Sequence, residues 1–514
     1  MISRNQRTRL ESNDFEASTA ALFGGKPTAG KQHTPTRVLA LLISLSLVAM
    51  FLAFTARHTV AQTGSSAARS DEFEGETRGD NTLLVWAGDK AHIAPDFVAV
   101  IDFDQRSPRY GKLLKVVPLA GPNAVGNEPH HVGLSADGKT LALGGLLSVL
   151  RGQDQVYFFD VRHPRDPQFI RSDNPPHASI TDEFDSLSNG GFFGTFMGSP
   201  DGANPGRLVE YDANQHYVQA WPLDPPSDGF DPHGLSIDEE HNLIVTSDFI
   251  CPLHTLNVPG GDEVVLRGSV RVWDFEKRSI VRKIVVGDPA NPSGTINVQL
   301  IPGDRELRAF TAGMADNKLY LLDTQKGSAK PVFDFSPSAV PDSPIWPQLF
   351  RINRDGTRLF ITLNYAGNAG KVVQFDISRP EHPQVLSAVD LGPGSGPHYI
   401  ALTKDEKRLV VSDYFLVENL VPGGVVKAEG DHKIHVFELE RDRIKLDPRF
   451  DLDFNRDIST GPARPHGFAF LPGAAMNNHT EFAARQAEFN PARRIPARCL
   501  LLRLRRLSLV SWDG

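Results

Sequence analysis

One short phrase recurs along this chain of 514 residues: a proline–histidine pair, a strand-like run, a polar turn, and a second run ending on an acid or amide. Gly396-Pro397-His398 leads through Tyr399–Leu402 to a turn at Lys404–Lys407 and rises to Asp413. Asp231-Pro232-His233 turns at Glu239–Asn242 and ends on Asp248. Glu128-Pro129-His130-His131 turns at Ala136–Lys139, and Trp346-Pro347-Gln348 puts a glutamine in the histidine slot and ends on Asn364. Arg464-Pro465-His466 stops after its first strand. The step from slot residue to closing residue is 15 positions for His233 and His398, and 16 for Gln348.

Repeats constrain architecture more strongly than local propensity does. Short period-two runs, Asp-Gly-type turns and the 50-residue step from Gln348 to His398 predict an all-β fold, a β-propeller with one repeat per blade. The wider step from His130 to His233 implies a further blade between them whose repeat is degraded. The runs Val156–Asp160, Val270–Asp274, Leu319–Asp323, Val372–Asp376 and Ile434–Glu438 are apolar and end in an acid. They read as the third strand of their blades, with the acid capping the following turn. The first strand of a blade lines the central channel, so slot residues far apart in sequence converge on one end of the axis.

That convergence carries the chemistry. His130, His131, His233, His398 and His466 become a ring of imidazoles, the donors that suit copper, zinc and iron. A single Pro-His is an ordinary turn; four in one slot of one repeat point to a metal. Gln348 and Asn297 are expected on the rim, and His177 in the degraded blade is a further candidate for the ring. Asp248, Asp413 and Asn364 close second strands, where they either orient the outer nitrogen of a ring histidine or serve as plain turn residues.

Composition narrows the rest. Net charge is −8, with no basic domain, which argues against nucleic-acid binding. The 44 glycines and 38 prolines fit a turn-rich β fold. Only two cysteines occur, Cys251 and Cys499, so no Cys-x-x-Cys motif exists and Cys251 is expected as a thiol. Residues 1–36 are polar and basic, and Val38–Phe54 is a largely apolar run of 17 residues followed by Thr59 and Ala61. This is either a secretory signal within residues 1–61, cleaved after Ala61, or an uncleaved membrane anchor. Both readings export the remainder of the chain, with the N-terminus kept cytoplasmic by its positive charges. Residues 62–80 read as a flexible linker, 81–473 as the propeller and 474–514 as an Arg-rich tail.

Several segments together resemble the selenium-binding protein / methanethiol oxidase family: Asn127–His131, Gly229–Asp231, Val270–Phe275, Gln374–Gln384, Asp405–Leu409, and Leu446–Phe454 with Gly461–His466 after it. The resemblance covers about residues 81–473. It implies a seven-bladed propeller and, in enzymatic members, copper-dependent oxidation of a small thiol, in bacteria often in the periplasm. Methanethiol, O2 and water become formaldehyde, hydrogen sulfide and hydrogen peroxide. His130-His131 match the family's double histidine and His466 its C-terminal one. The family's cysteine pair is absent between Leu134 and Gly145, so selenium binding through it is not expected. A family motif with two nearby histidines falls near Ile180–Ser188, where Asp182, Glu183 and Asp185 stand instead, and His233 and His398 are not typical of the family. The expectation is an exported copper-dependent oxidase of a small thiol. The alternatives are a non-catalytic periplasmic selenium- or metal-binding propeller and a lactonase-type hydrolase, which needs a carboxylate-rich calcium site and fits the histidines poorly.

Overall fold

The computed structural model describes residues 80–255, 265–336, 346–364, 369–416 and 429–472. The apolar run Val38–Phe54, the linker before Asp80, Cys499 and the Arg-rich tail lie outside them.

Seven antiparallel sheets form the blades of a β-propeller, each with four strands and one with a short fifth. Their innermost strands are, in chain order, Pro129–Leu134, Ser179–Ser186, Pro232–Asp238, Thr295–Leu300, Trp346–Ile352, Ile400–Leu402 and Ala463–Pro472. In the first six blades the next three strands follow outward in order. The blade that the repeats leave blank is Ser179–Ser186, Phe192–Gly198, Arg207–Tyr211 and Tyr217–Trp221.

The seventh blade resolves the repeat that breaks off at His466. Its inner strand Ala463–Pro472 pairs with Asp80–Asp89, through Leu83↔Phe470, Leu84↔Ala469 and Val85↔Phe468, and Phe97–Asp102 and Leu113–Pro118 lie outside that. One blade is therefore built from both ends of the propeller, which closes the ring and leaves no open edge between first and last blades.

Inner and second strands are packed on both faces, so Leu243–Ile250 is buried at all eight positions, whereas the outermost strand Ser279–Val285 of the same blade is largely open to solvent. The core runs between blades: Val245 and Val270 of one pack with Val298, Ala309 and Tyr320 of the next. Four of the five acids expected to end third strands cap turns; the fifth, Glu438, lies inside the strand Lys433–Glu440 and pairs with Arg449 (3.1 Å). Asp160 accepts from the Arg162 N–H (3.0 Å), Asp274 from Lys277 (3.0 Å), Asp323 from Lys326 (2.8 Å) and Asp376 from Ser378 (2.9 Å).

Candidate metal centre

The inner strands share an irregularity that aims the slot residues. Three steps on the inner strand match two on its neighbour: Pro129↔Gly145 then Val132↔Leu143, Pro232↔Asp248 then Leu235↔Thr246, Pro347↔Leu363 then Phe350↔Ile361, and Pro465↔Ala87 then Phe468↔Val85. The blank blade does the same, with Thr181↔Phe196 then Phe184↔Gly194. A β-bulge of this kind kinks a strand and redirects a side chain. The bulged pairs are His130-His131, Asp182-Glu183, His233-Gly234, Gln348-Leu349 and His466-Gly467. Gly467 has no room for a side chain, since a Cβ would lie 2.5 Å from the His130 carbonyl oxygen. His398 precedes its short strand and is fixed by its own N–H, which donates to the Ser412 carbonyl (3.0 Å).

The bulges and the His398 turn bring all five histidines together, none more than 2 % exposed. His130, His131, His398 and His466 offer ligand nitrogens that lie within 4.8 Å of one another. The rings of His130 and His131 stack at 4.4 Å, His466 lies 4.0 Å from His130, and His131 Nε2 is 3.4 Å from His398 Nε2. His398 Nδ1 donates to Gln348 Oε1 (3.0 Å), which leaves its Nε2 lone pair facing His131. Phe249 packs edge-on to His233 (4.9 Å) and Phe415 against His398 (4.3 Å). On the other side Tyr399 lies 5.0 Å from His131 and donates to the Val132 carbonyl (3.2 Å). Beyond it two cavities of about 430 and 240 Å³ share Val132, Leu134 and Tyr399 in their walls.

The blank blade supplies two residues that sequence reasoning did not assign. Asp182 and Glu183 occupy the same bulge positions as His130 and His131. Asp182 Oδ2 is 3.3 Å from His130 Nε2 and 3.1 Å from His233 Nε2, and its Oδ1 is 2.9 Å from His131 Nδ1. Glu183 Oε2 also lies 2.9 Å from His131 Nδ1, while Oε1 pairs with Arg351 (2.9 Å). No spacing signal marks them: the residue in register with Asp248 is Phe196, 14 positions after Asp182, and it is neither acid nor amide.

Burial is the leading influence on every titrating group here. It holds His233 at about 4 and keeps His130, His398 and His466 below the usual imidazole range, with neighbouring imidazoles adding to the effect. His131 goes the other way. Burial opposes its charge, but the Asp182 and Glu183 carboxylates prevail and push it up to about 9. Burial likewise works against ionised Asp182 and Glu183, yet the imidazoles hold Asp182 well below the carboxylate range and Arg351 holds Glu183 down. Asp185 is pushed up to about 7, by burial first and then by the Glu183 carboxylate.

Other expected residues fall elsewhere. Asn297 is buried and joins its blade to the next by accepting from the Phe350 N–H (3.4 Å). Asp248 and Asp413 do not orient a ring histidine, and neither is a plain turn residue. Asp248 binds Arg271 (2.7 Å) and Ser269 (2.6 Å) and accepts from the Asp231 N–H (3.3 Å); Asp413 accepts from the Gly396 N–H (2.5 Å). Each thus pins the backbone two residues ahead of a ring histidine, His233 or His398. His177 does not join the ring: it is exposed in the turn before its blade, at φ +70°. Cys251 is buried as a thiol, 3.8 Å from the Asn204 amide.

The donor set fits a borderline transition-metal ion. The imidazoles are held mostly neutral, and both ring nitrogens of His466, together with His130 Nδ1, have no hydrogen-bond partner despite full burial.

Fold and site together define a seven-bladed β-propeller with a histidine-rich cluster buried on its axis. The sequence profile of the 56 kDa selenium-binding protein (SBP56) family matches residues 79–479, and the chain belongs to that family. It is 23 % identical to methanethiol oxidase of Rattus norvegicus over 445 residues, which span 74 % of this chain and 90 % of that protein. Methanethiol oxidase of Homo sapiens is 24 % identical over 448 residues and selenium-binding protein 2 of Mus musculus 23 % over 453, with the same coverage. Among solved structures, a hypothetical selenium-binding protein from Sulfolobus tokodaii superposes with a TM-score of 0.63 at 18 % identity, covering 78 % of this chain and 96 % of that one. That likeness is one of fold.

Proposed function

We propose that this chain is an exported, copper-dependent oxidase of a small thiol, converting methanethiol, O2 and water to formaldehyde, hydrogen sulfide and hydrogen peroxide. His130, His131, His398 and His466 would hold the ion, with His233 beside them. Copper, when bound, supplies affinity for thiolate sulfur and one-electron chemistry towards oxygen. The chain's own part is positioning and exclusion. The bulges preset the imidazoles, Gln348 fixes the tautomer of His398, and Phe249, Phe415 and Tyr399 keep the cluster dry. A dry, preset site strengthens the electrostatics felt by a reacting sulfur.

The observation that supports this reading is the convergence of four buried imidazoles from three separate blades on one point. Metal analysis and oxygen uptake with methanethiol test it. The expected result is stoichiometric copper and methanethiol-dependent oxygen consumption, both lost in His466→Ala. A protein that takes up no copper and consumes no oxygen overturns it. The depth of burial favours a second reading, a non-catalytic metal-holding propeller, for which copper is retained but methanethiol draws no oxygen.

A further inference from the structure

Among the described residues, Asp182 is the acid whose oxygens both face the histidine cluster, and its surroundings are unusual for a buried carboxylate. Its ionic contacts are three imidazoles, His130, His131 and His233; the nearby guanidinium of Arg351 is taken by Glu183. A buried anion is costly unless it is paired and hydrogen-bonded. Yet neither Asp182 oxygen makes a hydrogen bond, and His131 Nδ1 and Glu183 Oε2 are likewise without one. The atoms are close enough, at 2.9–3.3 Å, but no hydrogen bond of good geometry joins them.

Close approach without hydrogen-bond direction is the arrangement of atoms that share a third partner. In a tetrahedral site with bonds of about 2.0–2.1 Å, neighbouring ligand atoms stand about 3.3 Å apart. His130 Nε2 and His233 Nε2 stand 3.3 and 3.1 Å from Asp182 Oδ2. The bulge adds an independent line: Asp182 takes the register position of His130 and His233 in its own blade, so the same backbone device aims it at the same place.

We propose that Asp182 is a direct metal ligand: with His130 and His233 it forms a second donor set that shares His130 with the four-imidazole set, so that the centre has a mixed nitrogen–oxygen character. This rests on the reading of the cluster as a metal centre. A carboxylate is a harder donor than imidazole, so it draws selection towards zinc, iron(II) or manganese(II) and, with copper, favours the higher oxidation state.

The test is copper(II) and zinc(II) titration of the metal-free full chain, with electron paramagnetic resonance of the copper(II) form. Asp182→Asn keeps the shape and removes the anion; it is expected to weaken metal binding at least about 100-fold and to change the copper hyperfine coupling. Asp182→His restores a donor and should recover binding with an altered spectrum. Metal-free Asp182→Asn loses a carboxylate that supports charged His131 and is expected to melt lower than the parent, so metal binding is compared below both melting temperatures, which separates ligation from folding. Should Asp182→Asn bind both metals as the parent does, with the parent's copper spectrum, Asp182 is not a ligand and the histidine centre stands without it. Should the parent itself bind neither metal, the whole centre falls, Asp182 included. If Asp182→Asn does not fold, Asp182→His decides: a spectrum identical to the parent's overturns the assignment.

Discussion

His131 and His398 are the same side chain at the same depth, with Nε2 atoms 3.4 Å apart across the axis, and they differ only in what stands behind them. Behind His131 are the Asp182 and Glu183 carboxylates, each 2.9 Å from Nδ1; behind His398 is the neutral amide of Gln348 at 3.0 Å. In the metal-free ring His131 is pushed up to about 9 and His398 falls well below the usual imidazole range. Equal burial does not give equal charge. The group behind the ring decides, and this propeller places an acidic back on one side of its axis and a neutral back on the other.

The strongest way to break that contrast is to unbalance the acidic side. Arg351→Met leaves the buried Glu183 and Asp182 carboxylates sharing charged His131 without the guanidinium, with an expected stability loss of about 3–5 kcal/mol in denaturant unfolding. A loss below about 1 kcal/mol would mean that the acidic side does not depend on this pair.

The pH dependence of stability reads the two sides separately. His233 has a folded value of about 4 against an ordinary 6.5, so the unfolded chain binds its proton first. Its contribution, about 3 kcal/mol, is complete above pH 6.5 and is lost as pH falls through 4. His131 has the opposite sign. Raised to about 9, it contributes fully below pH 6.5, and that contribution is lost as pH rises through 9. The melting temperature of the metal-free protein should therefore peak near pH 6.5 and fall on both sides. Glu183→Gln should flatten the alkaline limb and also remove Glu183's own contribution, which is lost as pH falls below its ordinary 4.5; an unchanged alkaline limb would contradict the assignment of His131.

The smallest expected effect comes from the neutral side. Gln348→Ala removes the acceptor that fixes the His398 tautomer and should weaken copper binding about 10–100-fold. Gln348→Glu should make the two sides alike, with His398 moving towards the behaviour of His131. Unchanged copper affinity in both variants would remove His398 from the set of ligands.

Much of this was legible in the sequence because the slot is marked twice, by proline before it and by a strand–turn–strand of fixed length after it. Those marks located His130, His233, His398, His466 and Gln348, and from them the propeller and its axis. Asp182 and Glu183 escaped because their blade carries Thr181 where the histidine-slot blades carry proline, and because an acid does not read as a variant of histidine. Only strand register equates them. Asp248 and Asp413 were misread for another reason: spacing shows that a residue faces the channel end of its strand, not whether it bonds to an imidazole or to the backbone N–H of Asp231 or Gly396. The incomplete repeat at His466 was visible, but its completion by Asp80–Asp89 depends on a pairing across almost the whole propeller.

That last pairing sets an order of assembly. His466 arrives on the final strand of the final blade, so the imidazole cluster is incomplete while the polypeptide is still emerging, and becomes whole when the two termini of the propeller zip together. Completion of the cluster is thereby subordinated to topological closure: a product truncated before Ala463 loses the clasp and a ring histidine in the same stroke.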